Sequence, residues 1–334
     1  MTRSVILSER SESKDRVKVN MTSKDINKAI ELLRSGECVA IPTETVYGLA
    51  ADATNPKAIK KIFTLKGRPQ NHPLILHIAN VDQLKEWVEV IPDTAKKLIK
   101  TFWPGPMTLI FPVKKSILKK SYVKIITGNQ NTMGIRMPSH PLTRKLLKLF
   151  GGPVVAPSAN TFGHVSPTSA EHVKSEFENK LKLVLNGGQT KLGIESTIIN
   201  IIENPPRVLR PGPLSLAQIK KLSGVKVVSG KSKKSPRVSG NLKSHYAPKT
   251  KVILFEKKIK FKNNAAVIAI KANSIKNSNN FCVKMPNDAV GYAQILYAVL
   301  RELDIMKFDV IYIETPPNKS EWLAVRDRLL RAAH

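Results

Sequence analysis

The residues best suited to chemistry stand in short loops that follow apolar runs. The first loop is 42–48 (PTETVYG), where a proline and a glycine bracket Thr43, Glu44, Thr45 and Tyr47. Such a turn can aim Thr43, Thr45 and Tyr47 into a cleft, or simply cap itself around a packed tyrosine. The second is 66–73 (KGRPQNHP). Lys66 and Arg68 could compensate a helix dipole there, but Gly67 and Pro69 fix the backbone, and a fixed guanidinium fork suits a phosphate. The third, 156–166 (APSANTFGHVS), offers Ser158, Asn160 and Ser166. Short hydroxyls and amides, with nearby backbone N–H groups, bind phosphate or carboxylate oxygens. Glu195-Ser196-Thr197 runs into an Ile-rich strand, and Arg210 ends another before a Pro-Gly-Pro turn. Arg136 sits inside the apolar strand 133–137 (MGIRM). An arginine so placed needs an anion or an acid beside it.

Together these loops hold many cations, many hydroxyls and few carboxylates. That suits a polyphosphate, whose transfer chemistry needs positioning and charge neutralisation more than a protein nucleophile. The residues alone point to a nucleotide- or polyphosphate-using enzyme or to an RNA-binding module, and do not choose between them. Other chemistries lack their residues. The run 224–232 (GVKVVSGKS) has one residue too many for a P-loop and opens a basic, Pro-containing stretch instead of a helix. There is no GxGxxG and no Gly-x-Ser-x-Gly. His72 and His77 have no flanking Cys or carboxylate at zinc spacing, so no metal site is expected.

Composition agrees. The 334 residues carry 55 Lys and Arg against 25 acids, a formal charge of +30, which attracts polyanions. No apolar run approaches the ~20 residues of a membrane span. The patch Val5–Leu7 is too short for a signal-peptide core. Cys38 and Cys282 lie far apart in apolar contexts and read as reduced core residues, so a cytoplasmic location is expected.

These loops need elements to position them. Residues 1–20 read as a disordered extension. Helices are expected from Ser23 to Gly36, from Asn55-Pro56 to Gly67, and at 82–89, 93–102, 141–149, 168–178 and 215–222. Strands are expected at 38–41, 74–79, 107–113, 133–137, 153–156, 181–185, 196–202 and 207–210. Strands often follow one another, which implies an α/β domain with a twisted mixed sheet over 21–224. From Asn204 to Phe255 there is no acid, and 225–250 reads as a basic linker. Strands at 251–255, 265–270, 281–284 and 310–314, with helices at 288–305 and 320–332, imply a small Rossmann-like parallel α/β domain over 251–334.

PTETVYG, KGRPQNHPLILHI, WPGPMTLI, GIRMP, APSAN, ESTII and LRPGP occur in that order. In this the chain resembles the YrdC-type L-threonylcarbamoyladenylate synthase family, from about Ser23 to Gly224. The stretch 239–248 (SGNLKSHYAP) and the last ~80 residues resemble its longer, two-domain branch. The resemblance implies a reaction: L-threonine, bicarbonate or CO2, and ATP give threonylcarbamoyl-AMP and pyrophosphate. The product feeds tRNA-modification machinery acting beside the anticodon. Magnesium is expected on the ATP, with no protein cage. RNA contact and no membrane contact are expected.

By the same resemblance Thr45, His77, Arg136, Ala156 and Ser196 surround the threonine, Arg136 on its carboxylate. Arg68, Thr132, Ser158, Ser166, Arg210 and Ser239 contact ATP, and Lys66 and Arg68 position it. His72 stands where the family often has Asn; a neutral imidazole replaces one amide hydrogen bond to ATP, not both. The stretch 239–248 reads as a lid bringing Lys243 and Tyr246 near the nucleotide. Deleting 236–249 is expected to lower synthesis while the first domain stays folded, measured as pyrophosphate release beside circular dichroism. Full activity after the deletion would remove the lid.

Overall fold

The computed structural model describes residues 23–230, 232–240, 242, 244–256, 259–271 and 280–334. The extension 1–20 and Lys243 lie outside the described residues. The rest divides into two compact units, the first built from 23–162 and 167–241, the second from 163–166 and 242–334. The division at 241/242 falls inside the stretch read as a linker.

The first unit holds nine strands: β1 (Val39–Ile41), β2 (Gly48–Asp52), β3 (Ile75–His77), β4 (Met107–Pro112), β5 (Thr132–Arg136), β6 (Val154–Val155), β7 (Thr197–Asn200), β8 (Arg207–Arg210) and β9 (Val228–Ser229). Their order is β1-β2-β6-β3-β5-β4-β7-β8-β9, with parallel and antiparallel pairs mixed. Side chains alternate between the two faces of a strand. Leu76, Leu109, Met133, Ile135 and Ile199 therefore enter one face, which packs into the large core with Ile59, Ile62 and Phe63. Ile75, Ile110 and Ile198 lie on the other face, covered by Val238. His77, Arg136, Thr108 and Ser196 share that second parity, and Arg210 pairs with Ile198 across a bulge.

Local sequence sets the helix that feeds the second loop. Asn55 accepts from Lys57 N and Ala58 N, Pro56 opens the first turn, and Gly67 closes it in the left-handed region at φ 59°. Ala58, Ile59, Ile62 and Phe63 are buried along one stripe. At ~1.5–3 kcal/mol for each large apolar side chain, that stripe seats the helix. Lys66 and Arg68 follow from its last turn.

In the second unit β10 (Lys251–Phe255), β11 (Ala265–Ala269), β12 (Phe281–Lys284) and β13 (Val310–Glu314) form a parallel sheet in the order β10-β13-β11-β12. Asp288 caps the helix Ala289–Ile305 by accepting from Gly291 N at 2.8 Å. His164 bridges to Ala247, and Arg301 donates to Val165 O at 2.5 Å, which ties in 163–166. No helix among the described residues is long and apolar enough to cross a membrane.

Several details differ from the sequence reading. Gly48–Asp52 is a strand, because its small residues pair on both sides. Ser121–Thr127 is a helix, with Val123 and Ile126 buried, in a stretch whose lysines hide the pattern. The strand expected at 181–185 is reduced to one bridge, Ala40 to Val184. The helix expected at 82–89 is a 3-10 turn followed by Leu84–Trp87.

Gly212 is where the Pro-Gly-Pro turn meets the Glu195–Thr197 backbone. A Cβ there would sit 2.7 Å from Glu195 O and closer still to Thr197 N. Gly212→Ala is expected to cost ~1–3 kcal/mol, read as a lower midpoint in urea unfolding.

Candidate active site

Five adjacent strands, β3, β5, β4, β7 and β8, bring His77, Arg136, Thr108, Ser196 and Arg210 to one end of the sheet. Two clusters form there. In the first, Arg136 donates from Nε to Gly105 O at 3.2 Å, from Nη1 to Thr45 Oγ1 at 3.0 Å and from Nη2 to Glu44 Oε1 at 2.6 Å. Glu44 Oε2 accepts from Ser139 N at 3.0 Å. Burial works to raise the Glu44 carboxyl; the Arg136 charge and the amides outweigh it and hold the group below its ordinary value. The arginine in an apolar strand has its acid.

The Thr43 hydroxyl donates to Val46 O at 2.6 Å, and its oxygen accepts from Thr45 N at 3.1 Å and Val46 N at 3.2 Å. Thr45 Oγ1 lies 2.8 Å from Thr43 Oγ1 and accepts from Arg136 Nη1. His77 lies level with Arg136 on the neighbouring parallel strand, and its Nδ1 is 3.1 Å from Ile75 O. That contact makes Nδ1 the N–H nitrogen and Nε2 an acceptor. Burial, then the Arg136 charge, pushes His77 down to about 3. His77 therefore presents an acceptor.

The second cluster is built on Ser239. Arg68 Nη2 donates to Ser239 Oγ at 3.2 Å and to Pro73 O at 3.0 Å, while Ser239 Oγ donates to Pro73 O at 2.8 Å. Arg210 Nη1 donates to Ser239 O at 3.3 Å, and Nη2 to Ser196 O at 2.8 Å and Ser196 Oγ at 3.2 Å. Ser196 Oγ is 2.8 Å from Thr108 Oγ1. The Arg68 guanidinium stands 5.6 Å from the Phe162 ring centroid, and His72 meets the same ring edge-on at 5.2 Å. Thr132 and Ser239 line a small cavity of about 20 Å³ beside Val238.

Lys66 is fully buried; its Nζ donates to Ser158 O at 2.5 Å and to Asn160 O. Burial, then the Arg68 charge, holds its amine well below the ordinary lysine range. Lys66 clamps the third loop to the helix end, a role the sequence reading lacked. Ala156 N donates to Ile75 O at 3.2 Å, beside β3. Tyr47 is not aimed at a ligand: its hydroxyl donates to Gly188 O at 2.8 Å and accepts from Gly187 N at 3.0 Å. Ser166 is buried within 163–166 of the second unit. Tyr246 is buried in that unit too, 4.8 Å under the Arg328 guanidinium and 5.9 Å from Tyr297. Glu44 is a site residue that sequence reasoning named without giving it a role. The signal was the single acid inside PTETVYG.

A family model described as "Telomere recombination" (Sua5/YciO/YrdC) matches residues 31–212, and one described as "Threonylcarbamoyl-AMP synthase, C-terminal domain" matches 214–334. The chain belongs to the threonylcarbamoyl-AMP synthase family, two-domain type. A relative of that name from Pyrococcus abyssi is 39% identical, covering 92% of this chain and 94% of its own. Another, from Bacillus subtilis, is 36% identical, covering 92% of each. The crystal structure of P. abyssi Sua5 complexed with L-threonine superposes with a TM-score of 0.81 at 37% identity, covering 92% of this chain and 94% of that one. A double-substitution variant of the same protein gives 0.83 at 35% identity, covering 95% of each.

His77 makes this fold pH-sensitive. It stays neutral when folded down to about pH 3, whereas the unfolded residue protonates below about 6.5. Stability is expected to fall as pH drops from 6.5 toward 3, by up to ~1.4 kcal/mol per unit. His77→Gln should flatten that part of a plot of urea midpoint against pH.

Proposed function

We propose that this chain is a threonylcarbamoyl-AMP synthase, making threonylcarbamoyl-AMP and pyrophosphate from L-threonine, bicarbonate or CO2, and ATP. One observation carries the reading: a cluster of Thr45, His77 and Arg136 and a cationic cluster of Arg68, Arg210 and Ser239 gather at one end of the sheet. The pairing suits a zwitterion set against a triphosphate, and the threonine complex of the P. abyssi relative supports it.

In this reading Thr45 hydrogen-bonds the amino acid, His77 accepts from one of its donors, and the remaining Arg136 N–H groups receive its carboxylate. Ala156 and Ser196 complete that pocket. The threonine nitrogen takes up CO2 to give a carbamate. A carbamate oxygen attacks the α-phosphorus, the bond to the β-phosphate oxygen breaks, and pyrophosphate leaves with the electron pair. Arg68 and Arg210 neutralise the triphosphate and the developing charge on the leaving group. Thr132, Ser158, His72 and Ser239 are assigned to the nucleotide, and Lys66 acts by holding the third loop. Magnesium would travel with the triphosphate. No group of three His, Cys, Asp or Glu among the described residues is placed to hold a metal, and Glu44 is already held by Arg136 and Ser139. The product would serve tRNA modification in the cytoplasm.

Purified protein with ATP, magnesium and bicarbonate is expected to release pyrophosphate only when L-threonine is added. Arg68→Ala or Arg210→Ala should raise the KM for ATP on the order of ten- to a hundredfold, the scale of a lost charge-assisted hydrogen bond. Salt-sensitive tRNA binding with no pyrophosphate release would mark an RNA-binding module instead.

A further inference from the structure

The cleft of this unit holds three buried arginines, and one of them, Arg136, is ion-paired with a buried acid, Glu44. Arg68 and Arg210 share the hydroxyl and the carbonyl of Ser239. We propose that Glu44 is a specificity-determining positioning residue: it neutralises and orients Arg136 so that this pocket takes an amino-acid zwitterion and rejects the phosphates its neighbours attract.

The geometry supports both halves of that role. Glu44 does not depend on Arg136 for its own place. Its Oε2 accepts from Ser139 N at 3.0 Å and its backbone O from Leu192 N at 2.9 Å, so two loops hold it from the main chain. The Glu44–Arg136 pair is almost wholly enclosed, at 7% and 5% side-chain exposure. Water therefore screens it little, and its net charge decides which ligand gains by entering. Arg136 has five N–H groups; Gly105, Thr45 and Glu44 take three, and two remain for a ligand. Two donors on a neutralised pair suit one carboxylate of a molecule whose own charges cancel. A pyrophosphate or a nucleotide tail would meet the Glu44 carboxylate as well, and like charge at that distance is a means of exclusion.

The assignment of threonine to this pocket rests on the synthase reading above; the charge discrimination is tested by binding alone. L-threonine is titrated calorimetrically into the full-length protein with and without saturating inorganic pyrophosphate. In the unmodified chain, pyrophosphate is expected to leave the threonine Kd within twofold. In Glu44→Gln, whose side chain has nearly the same shape and no charge, it is expected to become a competitor and raise the apparent threonine Kd at least tenfold. Glu44→Asp keeps the charge and should restore most of the original pattern. ATP binding, measured in the same samples, reports that the variants are folded. A Glu44→Gln protein that binds threonine more weakly yet shows no competition by pyrophosphate would reduce Glu44 to a structural strut and overturn the proposal. So would competition already present in the unmodified chain, or threonine failing to bind it. Correct discrimination without pyrophosphate release in the turnover assay would instead overturn the synthase reading and leave this one standing.

Discussion

A guanidinium leaves water only if its N–H groups find acceptors, and the candidate site is organised by that requirement. Arg68, Arg136 and Arg210 are all buried. Each turns its planar fork onto backbone carbonyls first: Pro73 O, Gly105 O and Ser196 O. Backbone acceptors are fixed by the fold, so the forks inherit the precision of the strands and turns that carry them. An unpaired guanidinium in such a setting would cost several kcal/mol. The loops around Pro73, Gly105 and Ser196 are therefore as much a part of the site as the arginines are.

Hydroxyls connect these fixed cations to the loops. Arg136 donates to Thr45 Oγ1, which lies against Thr43 Oγ1, and Thr43 donates to Val46 O. Ser239 does the corresponding work between Arg68 and Arg210, from a segment that was expected to be linker and that packs Val238 over the same sheet face. The buried Lys66 amine belongs to this framework too. It spends its donors on the carbonyls of Ser158 and Asn160, so the third loop is tied to the helix that precedes Arg68.

Much of this was legible in the residues. Arg136 in an apolar strand demanded a partner, the Asn55-Pro56 start and Gly67 stop of a helix were plain, and the parallel sheet of the second unit followed from its clean alternation. What escaped were facts of long range or of camouflage. Glu44 lies far from Arg136 along the chain, and no local pattern joins the two. Lys66 read as a dipole-compensating or phosphate-positioning cation because its burial is made by a loop that returns much later. The helix Ser121–Thr127 hid among lysines, and the strand Gly48–Asp52 hid behind small residues that pack well on a sheet without advertising it. Resemblance supplied the residues that pattern could not, Ser239 above all.

The alternation that separates core from cleft also restricts how this sheet can evolve. Leu76 and His77, or Ile135 and Arg136, are neighbours in sequence yet face opposite surroundings. Inserting or removing one residue in β3 or β5 would send an imidazole or a guanidinium into hydrocarbon and an aliphatic side chain into the cleft. Variation in length is thereby confined to the connecting segments, and the short central strands are held to a fixed count of residues.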